Sequence, residues 1–197
     1  TRNEEDRDAL AAFHLQFAHL ILHGAGHDNA WRLQYLTDLN KLPDYEDGYW
    51  WHRNRNHNGA PVDADGNPIL HKVPKDWDAA QSDGERWRWL LTQVLEYDPG
   101  KANEVDMIFA DFMRSQLGVQ TMAHFGWRFG DIDDTEADKK TGTFALHTLK
   151  ENETIARLAT GLKRLTVQDE YNWIKIYQRI ANRALTSWGE RALGNLG

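Results

Sequence analysis

The chain has no cysteine among its 197 residues. That excludes disulfides, thiolate metal sites and a cysteine nucleophile within it, and it leaves the redox compartment open. No apolar run approaches the roughly 20 residues that a membrane-spanning helix needs. A basic excess is also missing: the net charge is −7 and the isoelectric point near 5.7. A nucleic-acid binder normally carries a basic patch or stripe, so nucleic acid is not expected as a partner. There is no G-x-S-x-G elbow, phosphate-binding loop or dinucleotide fingerprint, and serine is scarce, with no candidate triad. These absences lead to an expectation of no catalytic centre and no cofactor.

What is present is a foldable, ordinary balance of 41% hydrophobic and 27% charged residues. At this length it suits one domain with its own core. Nine tryptophans are the unusual count, since such rings serve mainly as core anchors or interface residues. Position 1 is Thr rather than Met, and Ser187-Trp188-Gly189-Glu190 opens a helical pattern close to Gly197. Both features are read as an excised piece of a longer chain.

Helical periodicity dominates. Residues 3–23 carry Leu10, Phe13, Phe17, Leu20 and Ile21 at helical spacing, ended by Gly24 and Gly26. Residues 29–39, with Trp31, Tyr35 and Leu39 on one face, predict a second helix that pairs with the first as a hairpin. The most informative stretch is 76–122. Ser82-Asp83-Gly84-Glu85 is a capping box opening a helix with Trp87, Leu90, Leu91 and Val94 on its apolar stripe. Asp98-Pro99-Gly100 marks a turn, and residues 101–116 form a partner helix with Val105, Ile108, Phe109 and Phe112. Two further S/T-x-x-E boxes, at Thr148 and Ser187, predict helices over residues 148–160 and from 187 onward, and residues 168–183 also read as helical. Residues 44–75 break the pattern. Asp65-Gly66 signals a tight turn, which Val62 and residues 69–73 could flank as strands. Residues 119–125 extend a helix and 131–140 form an acidic loop. The expected fold is mostly α: repeat-like stacked helical hairpins in a single domain over residues 1–197, with a loop and small β-hairpin inserted at 44–75.

Candidate sites are few. His19, His23 and His27, with His14 nearby, have the i, i+4 spacing that lets imidazoles share a metal, but an HExxH glutamate is missing, and histidines in a last helical turn also suit the helix dipole. Asp63, Asp65 and Asn67 resemble the start of a calcium loop, yet Gly66 falls fourth and Pro74 twelfth, where such a loop needs Gly sixth and Glu twelfth; a plain turn is expected. Asp131, Asp133, Asp134, Glu136 and Asp138 read as a solvated acidic loop. Glu85 fits its capping box, and Glu96, Glu104 and Asp111 fit solvated helix faces. The best binding candidate is Tyr49, Trp50, Trp51, His52, Arg53 and Arg55, because aromatic rings beside arginine on a long loop suit an interface.

Hairpins in series invite comparison with the tetratricopeptide pattern. Pro99, Val94 and Leu91 fit it, as do Val105, Ile108 and Phe112, but Phe109 stands where a small residue is expected, and self-similarity at a period of about 34 is missing. Three blocks carry a closer likeness: GAPVDADGNPILHKVPKDWDAAQSDGERWRW (59–89), ADFMRSQLGVQTM (110–122) and LHTLKENETIARLATGLKRLTVQDEYNWIKIYQ (146–178). They resemble the N-terminal helical, tetratricopeptide-like region of large bacterial alpha-2-macroglobulin-like proteins. The resemblance implies a periplasmic or otherwise extracytoplasmic protein that traps proteases. It also implies that this piece is an accessory scaffold, since a chain without cysteine cannot carry that family's Cys–Gln thioester. The expected function is a non-catalytic helical scaffold whose partner is a protein, either a protease or neighbouring domains of its own chain. The alternatives are an α-helical metal-dependent enzyme using His19, His23 and His27, and a tryptophan-rich carbohydrate-binding module.

Overall fold

The computed structural model describes residues 2–23, 27–40, 59–118, 148–183 and 187–196. The fold is mostly α with one small antiparallel sheet, as expected. The helices are α1 (Arg2–Leu22), α2 (His27–Arg32), α3 (Asp83–Tyr97), α4 (Ala102–Leu117), α5 (Trp173–Arg183) and α6 (Ser187–Leu196); the strands are β1 (Glu153–Leu158) and β2 (Gly161–Thr166).

The central hairpin forms where its signals stand. Ser82 Oγ accepts from the Glu85 amide at 3.2 Å, and the Glu85 carboxylate reaches back to the amide of Gln81, 2.7 Å away. Those bonds satisfy donors that a helix start leaves free. After α3, Asp98 accepts from the Gly100 amide at 2.9 Å and a 3-10 turn, Pro99–Lys101, leads into α4. Trp87, fully buried, meets Phe112 edge-on at 4.8 Å and Phe109 at 6.0 Å, so the hairpin's two apolar stripes form the centre of the core. A second hairpin, α5–α6, packs α5 on α4 through Ile176, Tyr177 and Ile180. Ion pairs follow the seam: Asp106 holds Arg179 and Arg183, and Asp111 accepts from Tyr177 at 2.7 Å and Arg191 at 2.9 Å.

Several expectations are corrected. The first helix does not pair with a second helix over 29–39. Helix α2 ends at Arg32, and residues 33–37 instead cross the start of α3. There the amides of Asp83 and Gly84 donate to the carbonyls of Tyr35 (2.7 Å) and Leu33 (2.8 Å), and the buried Asp83 carboxylate accepts from the amide and hydroxyl of Thr37. Those carbonyls would be consumed internally by a continuing helix; here they satisfy the free N–H groups of another one. Helix α1 runs antiparallel to α3, with Arg7 donating to the carbonyls of Glu96 (2.8 Å) and Tyr97 (3.2 Å) at the end of α3.

The box at Thr148 opens no helix. Residues 153–166 form the β-hairpin, with Glu153 opposite Thr166 and Leu158 opposite Gly161. The β-branched pair Thr154 and Ile155 suits a strand, Gly161 takes a left-handed φ of 119° at the turn, and the buried Thr154 hydroxyl caps α4 by donating to the Leu117 carbonyl at 2.8 Å. The turn at Gly66 is present (φ 76°) but closes only an isolated bridge between Val62 and Pro68, and residues 69–73 form no strand. In front of that turn, Ala60 bridges Leu158 in parallel, and Gly59 comes so close that a Cβ there would lie 2.4 Å from the Leu158 carbonyl. Residues 168–183 are not one helix: a 3-10 turn over Asp169–Tyr171 precedes α5, whose start is capped by Asn172 through the amides of Ile174 and Lys175.

Candidate interaction surface

Helix α1 is apolar on two faces. The face turned to the core presents Ala11, Leu15 and Ala18, all buried, with Leu22 half-buried. The predicted stripe of Leu10, Phe13, Phe17, Leu20 and Ile21 is not the core face. Phe17 and Ile21 are half-buried, whereas Leu10, Phe13 and Leu20 are exposed, Phe13 at 58% and Leu20 at 67%. The reason is distance: Ala11 and Ala18 allow two helix backbones to approach where phenylalanine would hold them apart.

Aromatic contacts carry this outer stripe across the molecule. Phe13 lies 6.0 Å from Phe17, Phe17 lies 5.4 Å from Trp77, and Trp77 meets Trp89 edge-on at 5.8 Å. Arg86 sits 4.8 Å above the Trp77 ring while donating to the Thr37 carbonyl. Beyond Trp77 a groove continues along residues 36–40, where Leu36 and Leu39 are exposed beside Asp38 and Asp78. His14 stacks on Tyr97 at 5.4 Å and bonds to the Leu10 carbonyl, which fixes the flank. Exposed Leu10, Phe13 and Leu20 thus adjoin a half-buried aromatic row with an arginine over an indole, and Asp38 and Asp78 flank the groove beyond it. Patches of this kind are where protein partners seat.

The other predicted sites fare differently. Tyr49, Trp50, Trp51, His52, Arg53 and Arg55 lie outside the described residues, as do the acidic residues 131–138. His19 and His23 are exposed, His23 closes α1 with a left-handed φ of 43°, and His27 begins α2. Among the described residues no group of three His, Asp or Glu side chains is placed to hold a metal ion. Asp63 uses its carboxylate on the amides of Asp65 (3.0 Å) and Asn67 (2.8 Å), and the Asn67 amide bond is the main cause that lowers its pKa, so it is a turn residue. Glu96 accepts from Gln93, Glu104 pairs with Lys101 and Asp111 with Arg191, so these carboxylates are engaged separately and form no acid–base pair. Trp77 and Trp89 cross at 69°, so that pair is not the coplanar platform a sugar would stack on.

Sequence reasoning missed the surface for lack of one comparison. Residues 11, 15, 18 and 22 form a second apolar stripe beside 10, 13, 17 and 20, and two stripes on one helix mean that one faces away from its neighbour. No described helix is long and apolar enough to cross a membrane. Compared with known proteins, the chain matches no family profile, no curated protein and no solved structure.

Proposed function

We propose that this chain is a non-catalytic helical scaffold that docks a protein partner on the outer stripe of α1 and the adjoining Trp77 groove. The supporting observation is the exposure of Leu10, Phe13 and Leu20 on α1 and of Leu36 and Leu39 beside the Trp77 groove. Leaving large apolar side chains in water forgoes about 1.5–3 kcal/mol each relative to full burial. A partner that covers the stripe recovers much of that. The resemblance to alpha-2-macroglobulin-like proteins supplies the setting: an accessory, extracytoplasmic region whose partners are neighbouring domains of the same chain or a captured protease.

The test is a Phe13→Glu, Leu20→Glu double variant. Helicity and the urea midpoint should stay within experimental error of the parent, because both side chains face solvent. Association with added proteases, measured by calorimetry, should fall at least tenfold. A large drop in stability would make the stripe part of the core, and unchanged association would remove it as the docking face.

A further inference from the structure

We infer that His71 is an acid-sensitive latch: its ring helps to fasten residues 70–80 to α3 and α4, and its release loosens that segment and the seat of Trp77 in the interaction surface. The part concerning that surface rests on the proposed function; the latch itself does not.

The geometry is that of a plug. The His71 side chain is buried, only 7% exposed, and lies so close to the α3 backbone that a Cβ on Gly84 would fall 2.3 Å from two ring atoms. Phe112 of α4 packs on its other side at 6.4 Å between ring centroids. Tyr171 donates its hydroxyl to the His71 carbonyl at 3.3 Å. Among the described residues, that is the only hydrogen bond that ties residues 70–80 to a distant part of the chain; the others there, such as Ala79 to Asp76 and Ala80 to Trp77, are local. Hydrogen bonding therefore ties the segment at one carbonyl, and packing supplies the rest of its hold: the His71 ring, with Leu70, Trp77 and Ala80 on the core. Trp77 follows six residues later, set against Phe17, Trp89 and Arg86.

The surroundings favour a neutral imidazole. From α3 the charged group facing the ring is Arg88, whose guanidinium is paired with Glu170 at 2.6 Å. The turn before α5 contributes Glu170 in that pair and the Tyr171 hydroxyl. From α4 the neighbours lining the adjoining cavity are uncharged: Phe112, Met113 and Gln116. The other carboxylates near the start of α3 are turned elsewhere, Asp83 to Thr37 and Arg86, and Glu85 to the Gln81 amide. The first turn of α3 adds the positive end of a helix dipole. Burial, with Arg88 second, holds the His71 pKa down at about 4. Because the folded pKa lies below the unfolded value near 6.5, an unfastened ring binds the proton more readily. The latch is closed above about pH 6.5 and is progressively weakened as the pH falls toward 4.

The experiment is a titration of the isotope-labelled protein by NMR from pH 7.5 to 3.5. It follows the His71 ring, the amides of residues 70–80 and the Trp77 indole N–H, with α3–α4 amides as internal reference. The expected result is one midpoint below about pH 5.5 shared by His71, residues 70–80 and Trp77, while the α3–α4 amides away from Gly84 and Phe112 hold their positions. In His71→Phe that step should vanish; if this variant does not fold, the shared midpoint in the parent decides. Amides 70–80 that do not move, a midpoint different from that of His71, a step that persists in His71→Phe, or α3–α4 unfolding at the same pH would each overturn the latch. Failure of the stripe variants to lose a partner, with the latch step intact, overturns the docking reading alone.

Discussion

Replacing Gly84 with alanine should destabilise the protein, against the local preference of a helix. Taken alone, alanine in a helix is worth up to about 1 kcal/mol over glycine. The structure reverses that sign. An added methyl would stand 2.3–2.4 Å from three ring atoms of His71, and that ring is rigid, buried and backed by Phe112, so it cannot swing aside as a flexible side chain would. Overpacking of this kind costs about 1–3 kcal/mol, which leaves a net loss of up to about 2 kcal/mol once the helix preference is subtracted.

The decisive measurement is a double-mutant cycle with His71→Ala. Truncating the buried ring should cost about 2–4 kcal/mol through lost transfer energy and an imperfectly closed cavity. In that background the methyl of Gly84→Ala enters the vacated space, so the same substitution should turn neutral or stabilising by up to about 1 kcal/mol. Urea unfolding followed by circular dichroism at pH 7.5, where His71 is neutral, gives each corner of the cycle. The expected coupling is about 1–3 kcal/mol, within the range seen for residues in contact. A stabilising Gly84→Ala in the parent, or equal effects in both backgrounds, would refute the claim that the His71 ring defines the surface of α3 at that point.

Three further joints of the fold are tested by the same unfolding assay. Ser82→Ala removes the side-chain acceptor for the Glu85 amide and should cost about 1 kcal/mol, with Ser82→Asp close to the parent. Thr154→Val keeps the shape but deletes the buried donor to the Leu117 carbonyl; a loss of about 1–2 kcal/mol is expected, and Thr154→Ser should recover most of the bond. Arg88→Ala should cost about 2–3 kcal/mol while Glu170→Gln costs under about 1 kcal/mol. The asymmetry arises because Arg88 is buried with its guanidinium 3.7 Å from the Phe109 ring, whereas the Glu170 side chain is 55% exposed; equal losses would mean that the charge pair, not the packing, matters.

The parts of the fold legible in sequence were those fixed by contacts a few residues apart. The Ser82 cap, the Asp98-Pro99-Gly100 turn and the Gly66 turn all satisfy backbone groups from within their own neighbourhood. Residues 148–160 misled because the S/T-x-x-E pattern counts only local capping, while Ile155, Ala156 and Leu158 gain their burial from pairing with residues 161–166 and packing beneath α4. Residues 33–37 misled for a similar reason: their carbonyls answer amides of Asp83 and Gly84, nearly fifty positions away. The inaccessible side chain of His71 left no local sign either, since its partners Gly84, Phe112 and Tyr171 come from three separate elements.

The orientation of α1 joins these threads. Hydrophobicity alone would turn Leu10, Phe13 and Leu20 inward, and a rotation of about 100°, one residue step on the helix, would begin to do so. Two features oppose it. Arg7 would swing away from the Glu96 and Tyr97 carbonyls that it caps, and phenylalanine and leucine would have to fit where Ala11 and Ala18 now bring the backbones together. Close packing over the length of the contact outweighs the exposure of three side chains, so the inner face is chosen by fit and the outer stripe is left facing water. A helix in that position is stable by itself yet gains further from any surface that covers the stripe. That is the physical condition a docking element must meet, because its partner adds stability without being required for folding.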